Sequence, residues 1–351
     1  MFYKFNSEEI LPHMRSKITL KELAKLLNVS ISTVSKSLNG SPEISENTVK
    51  RVKELAALHN YTPNLTAVNL KRKSTGNIAV IVPNISNTFF AKVLGGIEND
   101  ARKNGYQVIT YISNESLALE KQIVELISNG LADGLLISVS SETQTTQNYD
   151  HLYRLTEYEI PVVLFDRINI ELDLDKVGVD DMQSIYNAVQ YLRNKSLSKI
   201  GLVCGIADLG LAHARIEGYR NAFKELNLTL NEDLLIIAKD NKILKEQLDH
   251  LLDTQEVEAF VTLDYLSTLI TSRVIQERKL RIPEDIKIIG YVNEDIAPLL
   301  CPSLTYIDQH PNSIGETAMQ ILMDRIRNQN PKNPENKIIN TAMVHLDSTK
   351  F

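Results

Sequence analysis

Residues 29–40 read VSISTVSKSLNG, four serines and a threonine set on a valine and leucine spacing that specifies a helix. Ser and Thr are indifferent helix formers because their hydroxyls compete for backbone hydrogen bonds. A short helix carrying this many is either a capped surface helix or one whose hydroxyls serve a partner outside it. The flanks decide. Upstream, TLKELAKLLNVS places Thr19 three residues before Glu22, the spacing of a capping box, and then Leu20, Leu23, Ala24 and Leu27 on one face. That helix has to stop by Asn28, after which Ser30 can cap a second one whose Val34 and Leu38 lie one turn apart and face inward. Asn39 and Gly40 close it. A third helix is predicted from Ser45, with Val49, Val52 and Ala56 at helical spacing.

Two helices joined by a tight turn, the second polar on its outer face, match the helix-turn-helix that lays its second helix in the DNA major groove. Ser32, Thr33, Ser35 and Lys36 then lie outward, donating to phosphates and base edges. Ile31 either completes the core face or touches a thymine methyl, and DNA contact is the reading favoured here. Charge agrees with a polyanion at this end. Residues 14–75 hold eleven Lys and Arg against four Glu, whereas residues 76–351 hold 26 basic against 38 acidic side chains, for a chain total of −6.

TLKELAKLLNVSISTVSKSLNGSPEISENTVKRVKELAALHNYTPN resembles the DNA-binding head of the lactose and galactose repressor family. The family pattern of VSxxTVS, LN and YxPN is met by Val29 to Ser35, by Leu38 with Asn39, and by Tyr61 to Asn64. Lys36 stands where an arginine is usual, which keeps the charge but loses a bidentate grip on guanine. The resemblance implies DNA contacts from Thr19, Ile31, Ser32, Thr33, Ser35, Lys36 and Asn39, and, in a hinge helix over 62–75, from Asn64, Ala67 and Leu70. Leu70 would enter a base step from the minor groove, the unstacking offset by the contacts a kinked duplex permits. Lys71, Arg72 and Lys73 add phosphate attraction or are simply a solvated charge run.

Beyond Asn77 apolar runs alternate with helical segments. NIAVIV, GYQVITYI, DGLLIS and IPVVLF read as strands between helices near 89–104, 117–129 and 148–158. KIGLVC, DLLIIA, EAFVTL and DIKIIGY form a second series with helices near 183–195, 211–227, 241–253 and 265–279. Continuous apolar strands with intervening helices mean parallel sheets covered on both faces, and two such series mean two similar lobes. Ligands of open parallel sheets sit beyond the carboxyl ends of the strands, so a cleft between the lobes is the place to look. Polar residues just after strands are Asn84, Ser86 and Asn87, then Ser138, Asp166 with Arg167, and Asp264. Each is either a cap or turn former or a ligand contact.

The resemblance extends over residues 17–345 and implies a body like that of the periplasmic sugar-binding proteins of type I. Its three chain crossings fall near Val179, Tyr306 and Ile338. The implied organisation is an extension or misassigned start over 1–13, a head over 14–61, a hinge over 62–75 and a two-lobed α/β body over 76–351. The N-lobe takes about 76–178 and 308–337, the C-lobe about 179–307 and 338–345. Effector contacts carried across are Asn87, Phe89, Phe90, Ser138, Asp166, Arg167, Arg215, Asp264 and Gln309. Aromatic rings beside charged groups suit a sugar, which has apolar faces and polar rims. Two departures stand out. Leu263 precedes Asp264 where the family shows Asn-Asp, and Val292 follows Gly290 and Tyr291 where it shows a polar residue. Each lost partner of a sugar hydroxyl costs about 1–3 kcal/mol, so the effector is unusual or absent unless Asn293 or Glu294 stands in.

The implied function is a sequence-specific transcription regulator, a repressor binding a palindromic double-stranded operator as a homodimer or dimer of dimers. A carbohydrate effector controls it; the alternatives are a sugar receptor or a regulator with a degenerate cleft. No GxxxxGK, HExxH or GxSxG occurs, so no enzyme, cofactor or metal site is expected. No apolar run approaches the roughly 18 residues of a membrane span and no basic-apolar leader opens the chain, so a cytoplasmic, nucleoid-associated protein is expected. Cys204 and Cys301 form no CxxC pair and are read as single buried thiols.

Overall fold

A computed structural model describes residues 18–61, 74–86, 88–225, 230–327 and 333–351. The chain divides into two units, Met1–Lys73 and Ser74–Phe351. In the first, α1 (Leu20–Leu27), α2 (Ile31–Leu38) and α3 (Glu46–Leu58) close around Leu23, Ala24, Val34, Val52 and Ala56. The Thr19–Glu22 capping box forms, and Asn28 ends α1 with a left-handed φ of 54°, a conformation Asn tolerates because its short side chain bonds locally. Ser30 and Ser45 cap α2 and α3. Leu38 packs partly buried against this core beside Val34, as its spacing predicts, and Ser37 is turned inward as well.

The second unit holds two six-stranded sheets. The N-lobe sheet has the order β11-β5-β4-β3-β1-β2, built from β1 (Asn77–Val82), β2 (Gln107–Ile112), β3 (Leu135–Ile137), β4 (Val162–Phe165), β5 (Asp175–Val179) and β11 (Asn336–Ile339), all parallel. The C-lobe sheet has the order β12-β10-β9-β8-β6-β7, with β6 (Ile200–Cys204), β7 (Leu235–Ile237), β8 (Ala259–Thr262), β9 (Lys287–Gly290), β10 (Thr305–Asp308) and β12 (Ala342–Val344). Only β10 with β12 is antiparallel. Residues 78–82 are wholly buried, as a parallel strand covered on both faces requires.

The chain passes between lobes after β5, after β10 and between β11 and β12. Tyr306 therefore belongs to the C-lobe sheet, and Ile338 to the N-lobe sheet rather than to the C-lobe. DLLIIA opens with a single 3₁₀ turn, leaving only Leu235–Ile237 as strand. The principal helices are α4 (Thr88–Lys103), α5 (Leu117–Leu126), α6 (Ser141–Thr146) and α7 (Asp150–Glu157), then α8 (Asp181–Asn194), α9 (Gly210–Glu225), α10 (Asn241–Thr254), α11 (Tyr265–Glu277) and α12 (Pro311–Arg327). Sequence patterning omitted α6 and α12. Helix α12 crosses α4 so closely that a Cβ on Gly96 would stand 2.2 Å from the Asn312 carbonyl, and one on Gly315 equally near that of Val93. In the C-lobe, Gly218 of α9 meets the Met182 carbonyl of α8 in the same way, at 2.1 Å. Cys204 is buried as expected, but Cys301 is exposed because it lies in the loop before β10 rather than on a strand.

Candidate DNA-binding and effector sites

In the head, α2 turns Val34 and Ser37 inward, which sends Ser32 and Lys36 to the opposite face and leaves Ile31 exposed on the first turn. Ile31 is 50% exposed and lies outside the head core. Thr33 and Asn39 are committed to the helix itself. Thr33 N–H donates to Ser30 Oγ at 3.0 Å, their hydroxyls share a 2.8 Å hydrogen bond, and Asn39 Nδ2 donates to the Ser35 carbonyl at 2.9 Å. Ser35 is half-buried. Thr19 holds the capping box, its N–H donating to Glu22 Oε2 at 2.7 Å. The ammonium of Lys36 is ion-paired with Glu43, a partner the sequence reading missed because it lies seven residues away beyond the helix end. Asn64, Ala67 and Leu70, with Lys71 to Lys73, lie outside the described residues.

Between the lobes lies a cavity of about 590 Å³. Phe89, Phe90, Asp166, Arg167, Arg215, Asp264 and Gln309 all line it, whereas Asn87 lies outside the described residues. Phe90 also packs in the N-lobe core, edge-on to Phe89 with ring centres 5.3 Å apart. Ser138 does not reach the cavity. It is fully buried and donates its hydroxyl to the Asp166 carboxylate over 3.4 Å.

Asp166 sits at the carboxyl end of β4 with φ +64°, a left-handed conformation costly for most L-residues and concentrated at functional positions. Burial pushes its carboxyl up to about 6; Arg167 and Arg215 oppose the rise, while Asp181 adds to it. Arg167 is committed to protein partners within the lining. Both its terminal nitrogens donate to Glu115, each at 2.7 Å, and Nη1 also reaches the Val139 carbonyl at 2.8 Å. Burial alone would raise the Glu115 carboxyl, but Arg167 and the Ser141 N–H outweigh it and the net shift is downward.

Arg215 is likewise committed. Its Nε donates to Asp181 Oδ1 at 2.7 Å, Nη2 lies 2.7 Å from the same oxygen, Nη1 donates to the Leu263 carbonyl, and the guanidinium lies over the Tyr291 ring at 3.8 Å. Tyr291 shares a 2.7 Å hydrogen bond with Ser184, and burial pushes its hydroxyl up to about 12. Asp264 caps α11, accepting from Ser267 N–H at 2.9 Å and, with its other oxygen, from Gly205 N–H at 2.8 Å. Its cap role and its place on the cleft wall thus coexist.

The mouth of the cleft is bridged directly. Lys92 of α4 pairs with Glu294 and Asp295 of the C-lobe, each at 2.6 Å, and Asn293 donates to Thr88 Oγ1. Burial would lower the Lys92 ammonium, but the two acids overcome it and raise it. Across the cleft, Gly210 N–H donates to Gln144 Oε1 at 2.9 Å. Glu115, Asp181 and Gln144 went unread because nothing local marks them, their partners lying 52, 34 and 66 residues away.

Residues 19–64 match the bacterial regulatory proteins of the lacI family, and residues 189–349 match a periplasmic binding protein-like domain. Over 316 residues the chain is 32% identical to the HTH-type transcriptional repressor PurR of Aliivibrio salmonicida (strain LFI1238), covering 89% of this chain and 93% of that relative. The chain belongs to the LacI family. A second relative, the HTH-type transcriptional repressor PurR of Vibrio cholerae (strain M66-2), is 28% identical over 95% of this chain and 98% of its own. Among solved structures, the Lac repressor dimer bound to operator and the anti-inducer ONPF superposes with a TM-score of 0.83 at 20% identity, over 95% of this chain and 99% of that one, a likeness of fold. A LacI family regulator from Enterococcus faecium with bound ribose matches at TM-score 0.67 and 27% identity, over 78% and 98%. The LacI family member described here is a DNA-binding transcriptional repressor with a periplasmic-binding-protein-like body. Among the described residues no helix is long and apolar enough to cross a membrane.

Proposed function

We propose that this repressor binds a palindromic operator as a homodimer, and that a small carbohydrate-like effector seated between its lobes sets its affinity for DNA. The observation that carries the DNA half is the outward ridge of Ser32 and Lys36, with Ile31 exposed on the first turn, on a helix whose inner face is fixed by Val34 and Ser37. One such head makes few contacts, and two related by a twofold axis read a symmetric site. Thr19, Thr33, Ser35 and Asn39 position the helix against phosphates, and Asn64, Ala67 and Leu70 act from the hinge in the minor groove. The effector half is supported by a cavity that Asp166 and Phe89 enter from one lobe and Asp264 from the other, since a ligand shifts two lobes only by contacting both. The repressor acts in the cytoplasm, at the nucleoid. Fluorescence anisotropy with duplexes from the promoter of its own gene neighbourhood tests the DNA half. Equal affinity for that promoter and for random duplex refutes operator recognition.

A second reading, regulation with no small molecule, is favoured by one observation: Lys92 with Glu294 and Asp295, and Thr88 with Asn293, join the lobes through direct side-chain contacts. A carbohydrate screen followed by the unfolding midpoint of the full chain separates the two, because a ligand bound only to the folded form must raise it.

A further inference from the structure

The body begins at Ser74, and one side chain holds its first three residues. Asp133, half-buried just before β3, accepts from Ser74 Oγ at 2.5 Å and from Gly76 N–H at 3.0 Å with Oδ2, and from Thr75 N–H at 2.7 Å with Oδ1. Such bonds to a carboxylate are stronger than those to a neutral acceptor. Gly76 has φ +69°, which glycine adopts without strain, so the chain bends there before Asn77 opens β1.

Asp133 is itself mounted on the core. Its N–H donates to the Asn77 carbonyl at 2.8 Å, and the next carbonyl, that of Gly134, accepts from Ala79 N–H at 3.0 Å. A Cβ on Gly134 would stand 2.9 Å from Leu322 of α12, and Leu135, Leu136 and Ile137 are wholly buried. The carboxylate is therefore a fixed post, 58 residues along the chain from Thr75. Starting β1 does not require it, because Asn77 to Val82 pair in register with β2 and Ala79 to Ile81 with β3. The three residues Asp133 holds lie ahead of those pairs, and Ser74 and Thr75 close the segment read from sequence as the hinge.

We infer that Asp133 is a positioning residue for operator recognition, fixing the point and direction at which the connection to the DNA-binding head leaves the body. This rests on the reading of operator binding as the joint work of two heads. Two heads on one symmetric site need connections that start from defined points, whereas random DNA, held through its phosphates, makes no such demand. Magnitude separates positioning from mere length. Residues 62–73, twelve in all, precede Ser74, and releasing Ser74 to Gly76 would add three more. Length alone then lowers the effective concentration of a head at its half-site about 1.4-fold, even for a freely jointed connection. Re-ordering the backbone of a single residue at the moment of binding costs about tenfold.

The test uses the full chain and a duplex that the parent selects from a randomised pool, with a random duplex of equal length beside it. Anisotropy at one salt concentration gives both affinities, and thermal unfolding gives the midpoint of each variant. Asp133→Ala is expected to lose about tenfold or more on the selected duplex and less than about twofold on the random one. Asp133→Asn, which keeps one acceptor oxygen of two, should fall between parent and Asp133→Ala. Ser74→Ala removes one of the three donors while leaving Asp133 in place, and should lose about threefold on the selected duplex alone, a readout that stands even where Asp133→Ala does not fold. A lower midpoint with the ratio of the two affinities unchanged assigns Asp133 a structural role and overturns the inference, as does a loss of only about 1.4-fold, the effect of length. A parent that selects no duplex over random refutes operator recognition itself, and the inference falls with it.

Discussion

Replacing Asp166 by asparagine should make the body of this repressor more stable at neutral pH while weakening its effector site. The Asp166 side chain is 11% exposed, and burial raises its carboxyl from 3.8 to about 6. A raised carboxyl holds a proton in the folded state that the unfolded state has released, so stability falls as pH rises from near 4 through 6 and is then flat. The rise from 3.8 to about 6 corresponds to about 3 kcal/mol withheld from the fold at pH 8, with roughly half of that recovered by pH 5. Asparagine has no charge to desolvate and tolerates a left-handed φ as aspartate does, so the +64° backbone should survive the change. Urea denaturation of parent and Asp166→Asn at pH 8 and pH 5, following the body transition, gives the comparison. The variant should be the more stable at pH 8 by up to about 3 kcal/mol, with the gap narrowing to about 1.5 kcal/mol at pH 5. Equal stability at pH 8, or a gap that does not narrow on acidification, would show that this carboxylate is solvated or compensated and would remove it from the account of the cleft.

Glu43→Gln should release Lys36 for phosphate contact, tightening DNA binding and steepening the dependence of log affinity on log salt by about 0.9 per head, read by anisotropy at several salt concentrations. Gly218→Ala forces a Cβ against the Met182 carbonyl and should cost about 1–3 kcal/mol in thermal unfolding, while the same change at Gly105, whose Cβ would meet nothing within 4 Å, costs only the strain of its φ of +78°. Arg215→Met leaves Asp181 buried without its partner and should destabilise the body by about 3–5 kcal/mol, more at pH 8 than at pH 5 because Asp181, raised by burial, can take up a proton in acid. Lys92→Met removes both ion pairs at the cleft mouth and should enlarge the radius of gyration measured by X-ray scattering; an unchanged scattering curve would mean that other contacts hold the lobes together.

Local pattern carried the elements whose signals are local. The capping box at Thr19, the caps at Ser30 and Ser45, and the unbroken apolar strands all follow from residue type and period, because each depends on neighbours within one or two turns. Which polar residues would line the cleft was also legible in part, since Asp166, Arg167 and Asp264 all follow strands and parallel sheets gather strand ends at one edge. What those residues do there was not. Arg167 is consumed by Glu115, Arg215 by Asp181 and Lys36 by Glu43, while Ser138 is buried and donates to Asp166. Helix α12 and the close glycine crossings are equally silent in sequence. Periodicity and caps act along the chain, so one sequence suffices to fix them. The pairing of charges and the approach of helices act through space, between residues that only the closed fold brings within reach of each other.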